Sequence, residues 1–186
     1  MNKQPSNPMH VCAILGTSRP GSYTGHAFAL VLNELEANGV AALDVIRPAD
    51  LVLGFPDSGE DDADAEAMRE MVGRADGLIF ATPEYHGGMA AMAKLIIENL
   101  GFPSVLKGKP VALVGCAAGD LGAVKALEQL RSILSHVGAL PLPGAVSVAG
   151  VRDVFNEDGT CNDDKTEARI RTTATRLTDY LTTGNA

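Results

Sequence analysis

Short apolar runs alternate along this chain with longer amphipathic stretches, and this alternation limits the possible fold more than any other feature. Apolar runs of strand length occupy residues 10–16, 40–46, 77–82, 111–117 and 145–149. Amphipathic stretches of helix length occupy residues 23–38, 63–74, 89–100, 123–137 and 166–181. Alternation of this kind is typical of βαβ units. It predicts an α/β fold in three layers, with helices on both faces of a parallel sheet of about five strands in the order 2-1-3-4-5.

The composition indicates one globular domain and argues against several classes of partner. The 186 residues are 46% hydrophobic and 20% charged, and we assign residues 9–184 to a single domain. A net charge of −8 argues against binding to nucleic acid or to an anionic membrane, and no apolar run approaches the ~18 residues of a membrane span. Three cysteines, an odd number, predict reduced thiols in a cytoplasmic protein. Residues 1–8 are polar and lack the apolar segment of a secretory signal, so we expect a disordered tail.

The loop after the first apolar run, residues 16–24, is rich in glycine and hydroxyl side chains and contains Arg19. Free backbone N–H groups at a helix start, together with such side chains, form a cradle for a phosphate group. The loop lacks the lysine of a nucleoside-triphosphatase loop, because Ser22-Tyr23 stands in its place, and Ser18 replaces the second glycine of a dinucleotide fingerprint. The monophosphate of a mononucleotide therefore fits best. An ordinary turn with Ser22 or Thr24 as the helix N-cap remains the alternative.

Two further loops are expected at the same edge of the sheet, because ligands of doubly wound folds bind at the carboxyl ends of the strands. Residues 83–88 follow the third strand and residues 117–122 follow the fourth. Tyr85 could cover a flat ring there, and Gly87-Gly88 would allow a ring to approach the backbone. No acid–base pair or nucleophile stands out, so we predict no catalytic side chain.

Three segments together resemble the NADPH-dependent FMN reductase family of flavodoxin-like proteins. They are GTSRPGSYTGHAFA, ATPEYHGGMAAMAKLIIENL and LKGKPVALVGCAAGDLGAVKALEQLRSIL, and the resemblance extends over residues 10–149. The family has a GSxRxxS-type phosphate loop, a PEYN-type loop beneath the flavin and a glycine-rich loop after the fourth strand. The resemblance implies that FMN contacts Thr17, Ser18, Arg19, Ser22, Tyr23, Thr24, Pro83, Glu84, Tyr85, His86, Gly87, Ala117, Ala118, Gly119 and Gly122.

The chain departs from the family pattern at three places. His86 replaces the usual asparagine, and we expect it to fill that position. The Lys-Asn pair of the following helix is absent, since Lys94 is followed by Leu95. Asp120 brings a carboxylate to a loop that is normally small and neutral, and we expect it to face solvent. We expect no metal site, because the four histidines have no zinc-ligand spacing and the acidic run 57–64 has no calcium-loop spacing.

The resemblance implies an enzyme in which FMN takes hydride from NADPH or NADH and passes electrons to a small-molecule acceptor: a flavin, a quinone, an azo compound or a metal oxyanion. An FMN-binding electron carrier or redox-responsive interaction protein without NAD(P)H turnover is the alternative. A short-chain dehydrogenase is disfavoured, because none of the three tyrosines begins a YxxxK pair. The resemblance also implies a homodimer or homotetramer. The apolar face of helix 89–100 is a candidate interface, although burial within its own chain would explain that face equally well.

Overall fold

The computed structural model describes residues 8–56 and 63–184, and in them the predicted alternation of strands and helices is present. In chain order the elements are β1 (His10–Leu15), α1 (Tyr23–Ala37), β2 (Ala42–Ile46), a 3₁₀ turn (Pro48–Asp50), α2 (Ala63–Arg74), β3 (Gly77–Tyr85), β4 (Gly88–Met89), α3 (Ala91–Asn99), β5 (Pro110–Cys116), α4 (Val124–His136), β6 (Leu140–Pro141), β7 (Val146–Val148), α5 (Val151–Val154) and α6 (Asp164–Thr183).

The parallel strands follow the predicted order. The sheet runs β2-β1-β3-β5, and both β6 and β7 pair with β5 at its outer edge. Because β4 is a short antiparallel strand beside the end of β3, β5 is the fourth parallel strand of the chain, which confirms the order 2-1-3-4-5. The outer position is shared by two short strands rather than filled by one. Pro141 and Pro143 explain this division, since proline has no N–H group to donate to a strand ladder.

Alternate residues of the central strands point to two separate cores, one on each face of the sheet. Val11 and Ala13 of β1 belong to the core beneath α1 and α6, whereas Cys12 and Ile14 belong to the core beneath α2, α3 and α4. This two-residue period is that of a strand buried on both faces. The three layers predicted from the alternation are therefore present.

Several helix boundaries differ from the prediction for local reasons. Helix α3 begins at Ala91 rather than residue 89, because Gly88 and Met89 pair with the end of β3. Helix α6 begins at Asp164, because the Asp163 side chain accepts the N–H groups of Lys165 and Thr166 at 3.3 Å and so caps an earlier turn than predicted. The four-residue helix α5 was not predicted, since a single turn is too short to show a helical period.

Two sequence predictions fall wholly or partly outside the described residues. The tail predicted for residues 1–8 lies outside them except for Pro8, and residues 57–62 of the acidic run also lie outside. In the two ranges that are described, no helix is both long enough and apolar enough to cross a bilayer.

Gly115 in β5 sets the distance between the sheet and α4, and its replacement tests this packing. A Cβ atom at this position would lie 2.7 Å from the Ala123 Cβ and 2.9 Å from the Leu127 Cγ. We expect Gly115→Ala to lower the free energy of unfolding by about 1–3 kcal/mol, measured by urea denaturation. Gly73→Ala in α2 is the matched control, because nothing lies within 4 Å of its added Cβ. It should be neutral or stabilise by up to about 1 kcal/mol. Equal effects of the two substitutions would contradict the packing argument.

Candidate functional site

The loop between β1 and α1 begins at a point where two strands approach closely. The Gly16 N–H donates a hydrogen bond to the Ala81 carbonyl oxygen at 2.7 Å. A Cβ atom at Gly16 would lie 2.7 Å from that oxygen and 2.9 Å from the Ala93 Cβ, so glycine alone fits there. The close contact fixes the first residue of the loop against β3.

The rest of this loop has the features of a helix N-terminus prepared for an anion. Ser22 is the N-cap of α1, and its Oγ accepts the Gly25 N–H at 3.1 Å, which decides between the two predicted caps. The Thr17 Oγ1 accepts the Arg19 N–H at 3.3 Å, and Thr17 is buried. Gly21 has a φ of +59°, which lets the chain turn into the helix. We call residues 16–24 the phosphate loop.

The second loop is a two-residue β-hairpin between β3 and β4. Glu84 pairs with Met89 and Tyr85 with Gly88, and the central residues His86 and Gly87 have φ values of +51° and +76°. Positive φ at both central positions is the requirement of a type I′ turn, which asparagine and glycine usually satisfy. Histidine is also among the residues that tolerate this backbone region. The structure thus gives a physical reason why His86 can stand where the family has asparagine.

Two side chains fasten this hairpin to helix α4. The Glu84 Oε2 accepts the Ala126 N–H at 3.0 Å, and the Gln129 Oε1 accepts the Met89 N–H at 2.9 Å. The Glu84 carboxylate therefore satisfies a free N–H group at the positive end of α4. Sequence analysis did not identify Gln129, because its contact joins residues 40 apart and has no local signal.

The third loop follows β5 and is joined to the segment after β7. The Ala117 N–H donates to the Val148 carbonyl oxygen at 2.9 Å, and the Gly150 N–H donates to the Gly119 carbonyl oxygen at 3.3 Å. Gly122 has a φ of +68° and lies against Ser147. Asp120 is exposed at the tip of the loop.

The three loops enclose an open cleft of about 420 Å³ at the carboxyl edge of the sheet, which we call the three-loop cleft. This volume is within the range of small-ligand sites. The predicted residues that line it are Arg19, Ser22, Tyr23, Thr24, Pro83, Glu84, Tyr85, Ala117 and Ala118. Thr17 and Ser18 line an adjoining pocket on the other side of the phosphate loop, and His86, Gly87, Gly119 and Gly122 belong to the loops around the cleft.

Four residues line the cleft that were not predicted to do so: Gly21, Cys116, Val151 and Arg152. Arg152 belongs to the short helix α5, which follows β7 and so reaches the same edge of the sheet as the other loops. The apolar run 145–149 was the signal that could have identified it, because the residues after a parallel strand reach this edge. Burial raises the pKa of the Cys116 thiol to about 12, against a smaller lowering effect of the Thr24 hydroxyl, so the thiol is neutral.

Two arginines and one carboxylate, that of Glu84, line the cleft, so its lining has a positive formal charge although the chain is acidic overall. Arg19 and Arg152 both line it, and neither guanidinium is ion-paired within residues 8–56 and 63–184. Over the same ranges no group of three or more His, Cys, Asp or Glu side chains could hold a metal ion. A phosphate at the Arg19 end and a flat ring towards Tyr85 match these properties. The fold and the cleft are thus those of an α/β protein with the features of a mononucleotide site at the edge of its sheet.

Comparison with known proteins agrees with this class. The family model described as NADPH-dependent FMN reductase matches residues 9–153, and the chain belongs to this family. It is 30% identical over 175 residues to an NAD(P)H-dependent FMN reductase of Pseudomonas aeruginosa, covering 89% of this chain and 91% of the relative. It is also 30% identical over 154 residues to a quinone reductase of Escherichia coli, covering 78% of this chain and 80% of that relative.

A solved structure supports the same fold. The flavoenzyme NAD(P)H:(acceptor) oxidoreductase from Paracoccus denitrificans superposes with a TM-score of 0.75 at 21% identity, covering 94% of this chain and 97% of that one. The predicted family, the flavodoxin-like fold, and the use of FMN with NADPH or NADH are thereby confirmed. The chain is an FMN-dependent NAD(P)H oxidoreductase.

Arg19 provides the most direct test of the cleft. We expect Arg19→Gln to raise the Kd for FMN about 10- to 100-fold, because a charge-assisted hydrogen bond contributes about 1.5–3 kcal/mol. The Kd is measured by quenching of FMN fluorescence. Lys107→Gln is the control, because Lys107 is exposed before β5 and lines neither the three-loop cleft nor the adjoining pocket. A Kd that rises equally in both variants would mean that general charge, and not contact, decides FMN binding.

Proposed function

We propose that this protein holds FMN in the three-loop cleft, accepts hydride there from NADPH or NADH, and passes the electrons to a small-molecule acceptor that enters the same cleft. The main support for this proposal is the cleft, in which a phosphate loop with Arg19 lies beside a hairpin with Tyr85. When bound, FMN supplies the hydride-accepting and electron-releasing chemistry, which explains the lack of a catalytic pair.

The protein residues bind and orient in this proposal. Arg19 neutralises the phosphate, while the Ser22 and Thr24 hydroxyls and the free backbone N–H groups of the phosphate loop surround it. Pro83 and Tyr85 shape the ring end. Gly87 and Gly119 have no side chain and so allow a ring to approach their backbone. We assign cofactor contact to the full predicted set, namely Thr17, Ser18, Arg19, Ser22, Tyr23, Thr24, Pro83, Glu84, Tyr85, His86, Gly87, Ala117, Ala118, Gly119 and Gly122.

One open cleft suits two successive ligands. Tyr85 is 42% exposed and the cleft opens to solvent, so the nicotinamide and then the acceptor can reach the same place in turn. The name of the Escherichia coli quinone reductase supports a flat quinone or flavin as the acceptor here, and azo compounds and metal oxyanions remain in the proposed range. An FMN electron carrier without NAD(P)H turnover is not favoured, since the family and the Pseudomonas aeruginosa relative are named for NAD(P)H-dependent reduction.

An anaerobic titration tests this function. The purified protein, loaded with FMN, is mixed with NADPH or with NADH while flavin absorbance near 450 nm is followed. We expect at least one of the two to bleach the flavin, and a quinone added afterwards to restore the absorbance. If dithionite bleaches the flavin and neither pyridine nucleotide does, the carrier alternative replaces the enzyme.

We further propose that the chain forms a homodimer or a larger homo-oligomer through the surface between α3 and α4. A groove of about 990 Å³ lies there, lined in part by Ile97, Ile133 and Val137. Phe102 projects at its rim and is 86% exposed, and Phe55 is also exposed. A projecting aromatic side chain and an apolar groove on one surface are self-complementary, as a twofold interface requires. The buried Ile96 and Leu100 show that much of the apolar face of α3 packs in its own chain instead.

Sedimentation velocity tests the oligomer. We expect the wild-type chain to sediment as a dimer or tetramer at micromolar concentration and Phe102→Asp to shift it towards the monomer. Leu140→Ser is the control, because Leu140 is 47% exposed at the far edge of the sheet. A wild-type protein that is monomeric under these conditions would remove the proposal.

Residues 9–184 act as one domain in this proposal, because the helices of the described residues pack on a single sheet. A cytoplasmic location is part of it as well, supported by three cysteines that form no disulfide.

A further inference from the structure

Lys125 lies in the first turn of α4, directly against the hairpin of the cleft. A side chain at Gly87 would begin 3.8 Å from the Lys125 Cδ and 3.9 Å from its ammonium nitrogen, Nζ. The ammonium group is therefore next to the backbone of the hairpin turn, which directly follows Tyr85 of the cleft wall. Lys125 is exposed and forms no ion pair with any residue that the structure describes.

The carboxylate that the hairpin itself supplies is already engaged. The Glu84 carboxylate accepts the Ala126 N–H at 3.0 Å, so it compensates the positive end of α4. The other acidic side chains near the start of α4 are Asp120 and Glu128, and both are exposed. None of these three carboxylates forms an ion pair with Lys125, so its charge can act on a ring bound beside the hairpin.

A charge at this place has a definite consequence for flavin chemistry. Hydride transfer delivers two electrons and one proton and leaves NAD(P)⁺, so the ring system gains one unit of negative charge until it takes a further proton from solvent. A nearby cation stabilises this reduced, negatively charged form more than the neutral oxidised form. We infer that Lys125 raises the reduction potential of the flavin in the three-loop cleft, through the ammonium group that it places beside the hairpin turn. This inference rests on the proposed function.

The size of the effect follows from Coulomb's law. A unit charge at ~8 Å in an effective dielectric constant of ~30 changes the equilibrium constant for reduction about tenfold. Because Lys125 is exposed, ions and water screen its charge, and we expect about a three- to tenfold change at low ionic strength. For a two-electron couple, this corresponds to a potential about 15–30 mV lower when the charge is removed.

The test compares the reduction potentials of FMN-loaded variants by dye equilibration with dithionite, which requires no NAD(P)H. Lys125→Gln is expected to lower the potential by the amount given above, to keep the Kd for oxidised FMN within about twofold, and to approach the wild-type potential as salt rises to about 0.5 M. Lys125→Arg keeps the charge and should retain the wild-type potential. Lys107→Gln is the matched control, because Lys107 is exposed in the segment before β5, at the opposite edge of the sheet.

Three outcomes would overturn the inference. The potential of Lys125→Gln could equal that of the wild type, or Lys107→Gln could lower the potential as much. Lys125→Gln could also bind oxidised FMN much more weakly, which would mean that Lys125 maintains the shape of the loop. Failure of the proposed function looks different, because a wild-type protein that binds no FMN, or whose FMN is not reduced by either pyridine nucleotide, fails before any variant is compared.

Discussion

The close approach of β1 and β3 at Gly16 is the constraint on which the site depends. The 2.7 Å hydrogen bond from Gly16 to Ala81 leaves no room for a side chain, so the phosphate loop leaves the sheet directly beside β3. Four residues after Ala81, the chain reaches Tyr85 and the hairpin. The anion cradle and the ring support therefore lie side by side, because β1 and β3 are adjacent in the sheet. The position of the ligand site follows from this strand order.

Helix α4 holds the second and third loops together. It begins directly after the third loop, and it receives the hairpin through Glu84 at its N-terminus and through Gln129 one turn later. Because Gly115 allows α4 to lie close to β5, the helix is itself fixed against the sheet. Loops that carry a site are positioned more accurately when rigid elements support them. The same arrangement brings Lys125 to the hairpin, so the helix has an electrostatic role in addition to its mechanical one.

The sequence was sufficient for the layers, the strand order and the family, because these depend on long apolar runs and on motifs of fixed spacing. It was not sufficient for features formed by one or two residues. Strand β4 depends on positive φ at His86 and Gly87, and a histidine in the sequence gives no clear signal of positive φ. The site residue Arg152 belongs to a single helical turn, and Gln129 acts through a contact distant in sequence. The outer strand is divided because Pro141 and Pro143 lack the N–H groups that a strand ladder needs.

The proposed function requires that the three loops hold one FMN molecule, with its phosphate in the phosphate loop and its ring at the hairpin. A crystal structure of the protein grown with FMN tests it most directly. We expect phosphate density within hydrogen-bond distance of the Ser22 hydroxyl and the Arg19 guanidinium, and ring density between Tyr85 and Ala118. Density for FMN in the groove between α3 and α4, or a ring bound in the pocket beside Arg47, would contradict this binding mode.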